Sequence, residues 1–368
     1  MSGALRASGA AAEKRARLAA ILRECGSVVV GYSGGVDSAY LAKAALDALG
    51  RERVLAVTAI SPSYPRAQRE LAHRIVRQLD LPHLEIETDE WKDPRYAANP
   101  TNRCYFCKTE LFDRLVAFAR ERGFAVVCDG ANADDLDDYR PGAAAARERG
   151  VRSPLQEAAL TKVEIRALSR AEGLPTWDLP ASPCLASRVP YGIEVTPERM
   201  RAIERAEEAL RGLRAWRGLR VRHHGEFARL EVDPGDLPAF REPGLRRAAA
   251  RAMLDAGFAR VLLDLEGYRR GSLNEGVVVP LSLGDRDPLD TEQVERRGRS
   301  GEVGVLSLDA EALSAALDAD SRALSRRKPD GVRFLAVDLT AEVEAREDGV
   351  EGRRVGHAAL RRAEPAAG

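Results

Sequence analysis

The chain has 368 residues, 45% hydrophobic and 31% charged, with 57 basic side chains against 57 acidic ones. Such a length exceeds one ordinary hydrophobic core and predicts two or three domains. The zero net charge argues against a nucleic-acid partner, whose binding rests on phosphate contacts. No eighteen-residue apolar run marks a membrane span, and the N-terminus lacks a signal-peptide core, so a cytoplasmic protein without a membrane partner is expected.

In chain order, "MSGALRASGAAAEKRARLAAIL" predicts a helix, "SVVVGYSGG" a strand and turn, and "VDSAYLAKAALDAL" a helix with alanine and leucine at helical spacing. A second strand, "RVLAVTAIS", is followed by the helix "RAQRELAHRIVRQLD" and the strand "PHLEIETD". Then come the helix "CKTELFDRLVAFARERG", the strand "AVVCDGANADD" and the helix "TKVEIRALSRAEG". Strands alternating with amphipathic helices predict an α/β fold with a doubly wound parallel sheet, which binds ligands at the carboxyl ends of its strands. This first domain is assigned to residues 1–180.

The loop "PASPCLASRVPYGIEVTPE", with four prolines, breaks the rhythm. Beyond it, a helix, two short strands in "LRVRHHGEFARLEV", a helix in "REPGLRRAAARAMLDAGF" and a strand in "ARVLLDLEGYRRGSLN" predict a smaller α+β domain over 181–275. Residues 276–368 read as an extension of open role: a strand in "GEVGVLSLD", a helix in "AEALSAALDADSRALS", a strand in "VRFLAVDL" and a charged tail.

The stretch Ser33–Ser38, "SGGVDS", carries the first chemistry. Adjacent Gly34 and Gly35 let backbone N–H groups converge on an anion, and the helix that follows adds its positive end. Ser33 and Ser38 supply hydroxyl donors, and no lysine of the kind used for γ-phosphate transfer is present. Asp37 beside phosphates would repel them unless a cation lies between, so it is a candidate Mg²⁺ ligand. The plain alternative is a helix N-cap in a tight turn.

These residues resemble the pyrophosphate loop (PP-loop) of the ATP pyrophosphatases, which cleave ATP between its α- and β-phosphates and adenylate a carboxylate or carbonyl oxygen. The resemblance implies that the adenine lies against "VLAVTAIS", where Thr58 sits. It also implies that "DGANADD" faces the phosphates through Gly130 and Asn132, with Asp135 a second Mg²⁺ ligand.

The five cysteines are Cys25, Cys104, Cys107, Cys128 and Cys184. An odd number argues against a disulfide framework. Cys25 and Cys128 read as small core residues. Cys104 and Cys107 form a C-x-x-C at a helix start beside Arg103 and Lys108, a setting expected to favour thiolate. With Cys184 they offer three thiolates, one short of a closed tetrahedral or cubane site. Two functional readings stand beside that of packed core thiols. Either the three hold a 4Fe-4S cluster carrying a labile sulfide, or Cys184 gives up its own sulfur and the C-x-x-C is a redox or zinc pair.

Five motifs in order, "NPTNRCYFCKTELF", "DGANADDLDDYRPG", "SPCLASRVPYG", "RVRHHGEFARLEV" and "LDLEGYRRGSLN", resemble the ATP-dependent sulfur transferases that mature the nickel-pincer cofactor of lactate racemase. The likeness runs from about residue 15 to 275. It implies adenylation of a carboxylate of pyridinium-3,5-biscarboxylic acid mononucleotide, a nicotinate-derived substrate, and its conversion to a thiocarboxylate. Some members sacrifice the loop cysteine and others carry the C-x-x-C and use a cluster; this chain resembles the latter.

By the same resemblance Arg188, Arg220, Arg222 and Arg269 are candidates to hold the substrate phosphate or carboxylates, for which the guanidinium fork is suited. Glu208 and Glu231 are candidate metal ligands or orienters, and Trp91 could stack on the pyridinium. Asp138 and Arg140 fit the family pattern. Further implied partners are sulfide or a sulfur-donor protein and other copies of the chain in a homo-oligomer. The alternatives are a tRNA thiolase, for which no basic surface or RNA-binding module is evident, and an ammonia-using synthetase, which would not need the cysteines.

Overall fold

The computed structural model describes residues 2–136, 140–180, 182–225, 227–269, 302–306 and 332–340. The chain divides into two compact units, Met1–Cys184 and Leu185–Gly368.

In the first unit, α1 (Ser2–Cys25) leads into β1 (Val28–Gly31), α2 (Val36–Leu49), β2 (Val54–Ile60), α3 (Arg66–Leu79) and β3 (His83–Glu87). The short α4 (Pro94–Ala97) precedes α5 (Arg103–Glu121) and β4 (Val126–Cys128). After these come α6 (Pro141–Glu148), α7 (Pro154–Glu157) and α8 (Lys162–Ala171). The four strands lie in the order β3-β2-β1-β4 and every pairing is parallel.

The sheet is apolar on both faces, as a parallel sheet covered by helices must be. Val28 and Val30 join Leu22 of α1, Leu41 of α2, Ile75 of α3 and Ile165 of α8 on one side. Val29 joins Phe112 and Leu115 of α5 and Ala145 of α6 on the other. The alternation along "VVV" is thus the two-residue period of a strand serving two cores. Cys25 and Cys128 are buried in the first core, as expected. The chain order reverses between β1 and β4, which makes their carboxyl ends the place for a ligand. The short helices α6 and α7, of 8 and 4 residues, are not legible in the sequence, because each is too short to show a hydrophobic period and opens on a proline.

In the second unit α9 (Pro197–Leu213) packs on α10 (Pro243–Asp255) beside a sheet in the order β5-β6-β7-β9-β8. Its strands are β5 (Leu219–His223), β6 (Phe227–Val232), β7 (Arg260–Asp264), β8 (Glu302–Leu306) and β9 (Val332–Asp338). β9 runs antiparallel to β7 and parallel to β8, so this sheet takes two strands from beyond residue 275, the stretch that the sequence suggests is a separate extension. The expected helix over "AEALSAALDADSRALS", the charged tail and Asp138 lie outside the described residues.

Candidate active site

Ser33 to Ser38 form a knot at the end of β1. The Ser33 N–H donates to Ser38 Oγ at 3.2 Å, the two hydroxyls stand 3.1 Å apart, and Ser38 Oγ donates to the Gly35 carbonyl at 3.3 Å. Tyr64, in the turn before α3, and Gln68 in its first turn brace it: Tyr64 OH and Gln68 Nε2 both donate to the Ser33 carbonyl, at 3.0 and 2.9 Å. Gly130, just past β4, comes so near that a Cβ there would stand 3.1 Å from Ser38 N. A side chain here would press on the backbone at the start of α2, so glycine lets the segment after β4 approach that helix end closely.

Asn132 is buried and organises the next turn. Its Oδ1 accepts the Asp134 N–H at 3.0 Å, and its own N–H donates to Asp135 Oδ2 at 3.0 Å. Asp135 Oδ1 pairs with Arg140 at 2.6 Å. Burial raises the Asp135 pKa, the nearby Asp37 charge adds to the rise, and Arg140 and Lys162 oppose it. Asp37, in the first turn of α2, has Oδ2 bonded to Lys162 Nζ at 2.5 Å, while its buried Oδ1 has no partner among the described residues. A partnerless buried carboxylate oxygen fits a cation ligand.

Lys162 is a site residue that the sequence does not single out. Its backbone N–H donates to Asp134 Oδ2 at 2.9 Å, and Ala133 N–H donates to the Leu160 carbonyl at 2.9 Å. A capping box, Thr161 with Glu164, starts α8 at this residue. The only hint in the sequence was the T-x-x-E cap signature before "IRAL", which marks a helix start but not what that start faces.

Thr58 is buried, donating from Oγ1 to the Tyr32 carbonyl at 2.8 Å with His83 Nε2 at 2.9 Å. It locks β2 to the root of the loop. Trp91 is half-buried in the turn after β3, with Lys92 Nζ over its ring at 5.2 Å.

Cys104 and Cys107 are the second and fifth residues of α5, and neither they nor Cys184 are in a disulfide. Each of the C-x-x-C thiols feels the charge of Cys184. The expectation of depressed thiol pKa values fails here. Both thiols are raised, chiefly by lost hydration, that of the half-buried Cys107 against Lys108 and that of Cys104, whose residue as a whole is exposed, against Arg103 and Lys108. A metal would have to displace these protons. The Tyr96 hydroxyl, itself influenced by Cys184 and Cys107, and Asn102 Oδ1 are buried without hydrogen-bond partners among the described residues. Among the described residues no set of three or more His, Cys, Asp or Glu side chains is arranged to hold a metal ion.

The second unit carries its own charged groups. Arg220 and Arg222 of β5 face Glu231 and Arg229 of β6 in register. Arg222 reaches Glu231 Oε2 at 2.7 Å, and Arg229 takes Oε1 at 2.7 Å and lies 3.3 Å from Asp264. Arg269 pairs with Glu266 at 2.8 Å. Arg188, nearly fully buried, lies 3.1 Å from Glu207, which also binds Arg211 at 2.7 Å and the Val221 N–H at 3.2 Å. Burial pushes the Glu207 carboxyl up, but Arg188 and its neighbours hold it below the usual range. Glu208, the sequence candidate, is half-buried one position further along α9. Glu207 was missed because two adjacent glutamates in a helix give no sign of which one faces inward.

Residues 14–110 match the family model described as NAD synthase. An uncharacterized protein of Synechocystis sp. is 45% identical over 68% of this chain and 93% of its own length. The pyridinium-3,5-bisthiocarboxylic acid mononucleotide synthase of Lactiplantibacillus plantarum is 36% identical over 72% of this chain and 95% of its own. An uncharacterized protein of Methanocaldococcus jannaschii is 27% identical over 66% and 90%.

Proposed function

The chain belongs to the family of pyridinium-3,5-bisthiocarboxylic acid mononucleotide synthases, and we propose that it uses ATP to replace carboxylate oxygen by sulfur on the nicotinate-derived mononucleotide. The observation that carries this reading is the pairing, within one compact unit, of a phosphate cradle at Ser33–Ser38 with three unbridged cysteines.

The chain's own groups account for the first half-reaction. The backbone N–H groups of Gly34 and Gly35, the Ser33 and Ser38 hydroxyls and the positive end of α2 receive the phosphates. Gly130 and Asn132 wall the same place from β4. Asp37 and Asp135 would hold Mg²⁺, which when bound neutralises charge on the departing pyrophosphate. A substrate carboxylate oxygen attacks the α-phosphorus; that P–O bond forms as the bond to pyrophosphate breaks. Hydrosulfide then attacks the acyl carbon: the C–S bond forms, the C–O bond breaks, AMP leaves with the electron pair, and the thiocarboxylate remains. Where the Cys184 thiolate attacks instead, the same displacement gives a thioester; a base then takes the Cys184 Cα proton as the Cβ–S bond breaks, which leaves the thiocarboxylate on the substrate and dehydroalanine in the chain.

Cys104, Cys107 and Cys184 would hold a 4Fe-4S cluster, which when bound supplies a transferable sulfide. The orphaned Tyr96 hydroxyl and Asn102 oxygen suit the polar surroundings of such a group. Arg188, Arg220, Arg222 and Arg269 are assigned to the substrate's phosphate and carboxylates. Glu231, with both oxygens on arginines, acts by orienting them, and Glu208 is assigned to the same anion site. Trp91, whose ring face already accepts an ammonium, is assigned to the pyridinium.

Two measurements on one preparation test the reading. Pyrophosphate release from ATP should require the biscarboxylate mononucleotide and vanish in Asp37→Ala; undiminished release by that variant overturns the Asp37 assignment. Iron and acid-labile sulfide, at about four each per chain after anaerobic purification, should be lost in Cys184→Ala. Intact, active protein without iron would instead make Cys184 the consumed sulfur donor.

A further inference from the structure

Asp37 is claimed by two cations. Its Oδ2 accepts a bond from Lys162 Nζ at 2.5 Å, across 125 positions of sequence, and its buried Oδ1 has no partner among the described residues. Lys162 is not reaching there by chance of a long side chain. It is the first residue of α8, its N–H is tied to Asp134, and the capping box fixes the helix start. Asp135 feels the charge of both Asp37 and Lys162 and is itself paired with Arg140. The two carboxylates are thus matched by one ammonium and one guanidinium. A divalent cation taken up by Asp37 would stand beside an ammonium anchored at its base, and like charges so close repel strongly unless a counter-anion is added.

Resting on the reading of Ser33–Ser38 as the ATP cradle, we propose that Lys162 is an exchangeable counter-cation: it holds Asp37 against a divalent metal until nucleotide phosphate arrives, then moves to the phosphate as the metal takes the carboxylate. The ligand is a divalent cation together with a nucleoside triphosphate, bound as a coupled pair. Each alone meets a charge the site already balances. Together they bring the anion that Lys162 needs and the cation that Asp37 needs. The lysine is therefore a positioning residue whose presence should weaken metal binding alone while strengthening nucleotide binding.

The test measures free Mn²⁺ by electron paramagnetic resonance on the full chain, with and without α,β-methylene ATP, so that no turnover contributes. In the wild type the analogue should tighten Mn²⁺ by about tenfold or more, within the usual span of coupling between sites. Lys162→Met should bind Mn²⁺ alone several-fold tighter, bind the analogue more weakly and lose most of the coupling. Lys162→Arg should keep part of it. A general loss of structure lowers both affinities, so only the opposite movement of the two supports the proposal. Unchanged affinities in Lys162→Met, or weaker Mn²⁺ binding alone in a variant with wild-type circular dichroism, overturn it. A wild-type chain that binds no analogue at any Mn²⁺ concentration overturns the cradle reading itself. One that binds both ligands without coupling overturns only the role of Lys162.

Discussion

Gly34 has φ 68°, and a Cβ built on it would stand 2.7 Å from Ala72 Cβ and 2.9 Å from Ala72 Cα. Two separate costs thus fall on Gly34→Ala: about 1–2 kcal/mol for a left-handed residue with a side chain, and a collision with the backbone of α3. The variant should melt lower and lose at least tenfold in ATP-analogue affinity, since Gln68 of α3 and Tyr64 just before it also hold the Ser33 carbonyl. Adding Ala72→Gly removes the nearer contact, so it should restore part of the melting temperature but not the φ cost. Full restoration, or none, would show that one cost had been misjudged. At this scale the sequence spoke clearly where chemistry and backbone need coincide, as in "SGGVDS". It was silent on Lys162, whose role depends on a residue 125 positions away. It misled at Cys104 and Cys107, because neighbouring Arg103 and Lys108 are visible in a sequence while desolvation is not.

Among the elements, α3 is tied to β3 by charge. Arg69 Nε and His73 Nε2, on one face of α3, reach Glu85 Oε1 of β3 at 2.8 and 2.6 Å. The bond from Arg69 is the largest cause that holds the Glu85 carboxyl down at about 2. A carboxyl depressed on folding contributes stability above its unfolded pKa, about 4.3, and loses it as pH falls through the folded value. The contribution is therefore present at neutral pH and should fade between about pH 4.3 and 2. Glu85→Gln should melt below the wild type at pH 7, and the gap should narrow as pH is lowered through that window. A gap that stays constant to pH 2 would mean the carboxylate charge contributes nothing. Because Glu85 is partly exposed, solvent and salt screen it, and the gap at pH 7 should shrink in high salt. The helix and both strands were legible from their periods of hydrophobicity. This cross-element pairing was not, since many arginines and glutamates in the chain offer equally plausible partners.

Over the whole molecule, the parallel sheet of the first unit follows from its alternating strands and helices. The second sheet shows what periodicity cannot supply. "VRFLAVDL" reads as a strand, but nothing in it names its neighbour across the 67 positions between Asp264 and Val332. That neighbour is β7: Leu262, Leu263 and Asp264 pair with Asp338, Val337 and Ala336. Beyond the ladder, the Leu339 N–H donates to the Val261 carbonyl and Thr340 Oγ1 accepts the Val261 N–H, each at 2.9 Å. Ala336 and Leu339 are fully buried, and Arg260 pairs with Asp338 at 2.6 Å. Removing residues 276–368 therefore takes away hydrogen-bonded partners and apolar cover, and leaves β7 as a bare sheet edge. In that truncated chain, amide hydrogen exchange over Val261–Asp264 should quicken by at least about tenfold, which corresponds to roughly 1.4 kcal/mol of local opening free energy. Exchange over Val28–Val30, in the other unit's sheet, serves as the internal control and should not change. Equal protection of Val261–Asp264 in both chains would show that β9 adds nothing to that sheet. Faster exchange confined to β7 and its neighbours would make the C-terminal strand a working part of the second unit's fold.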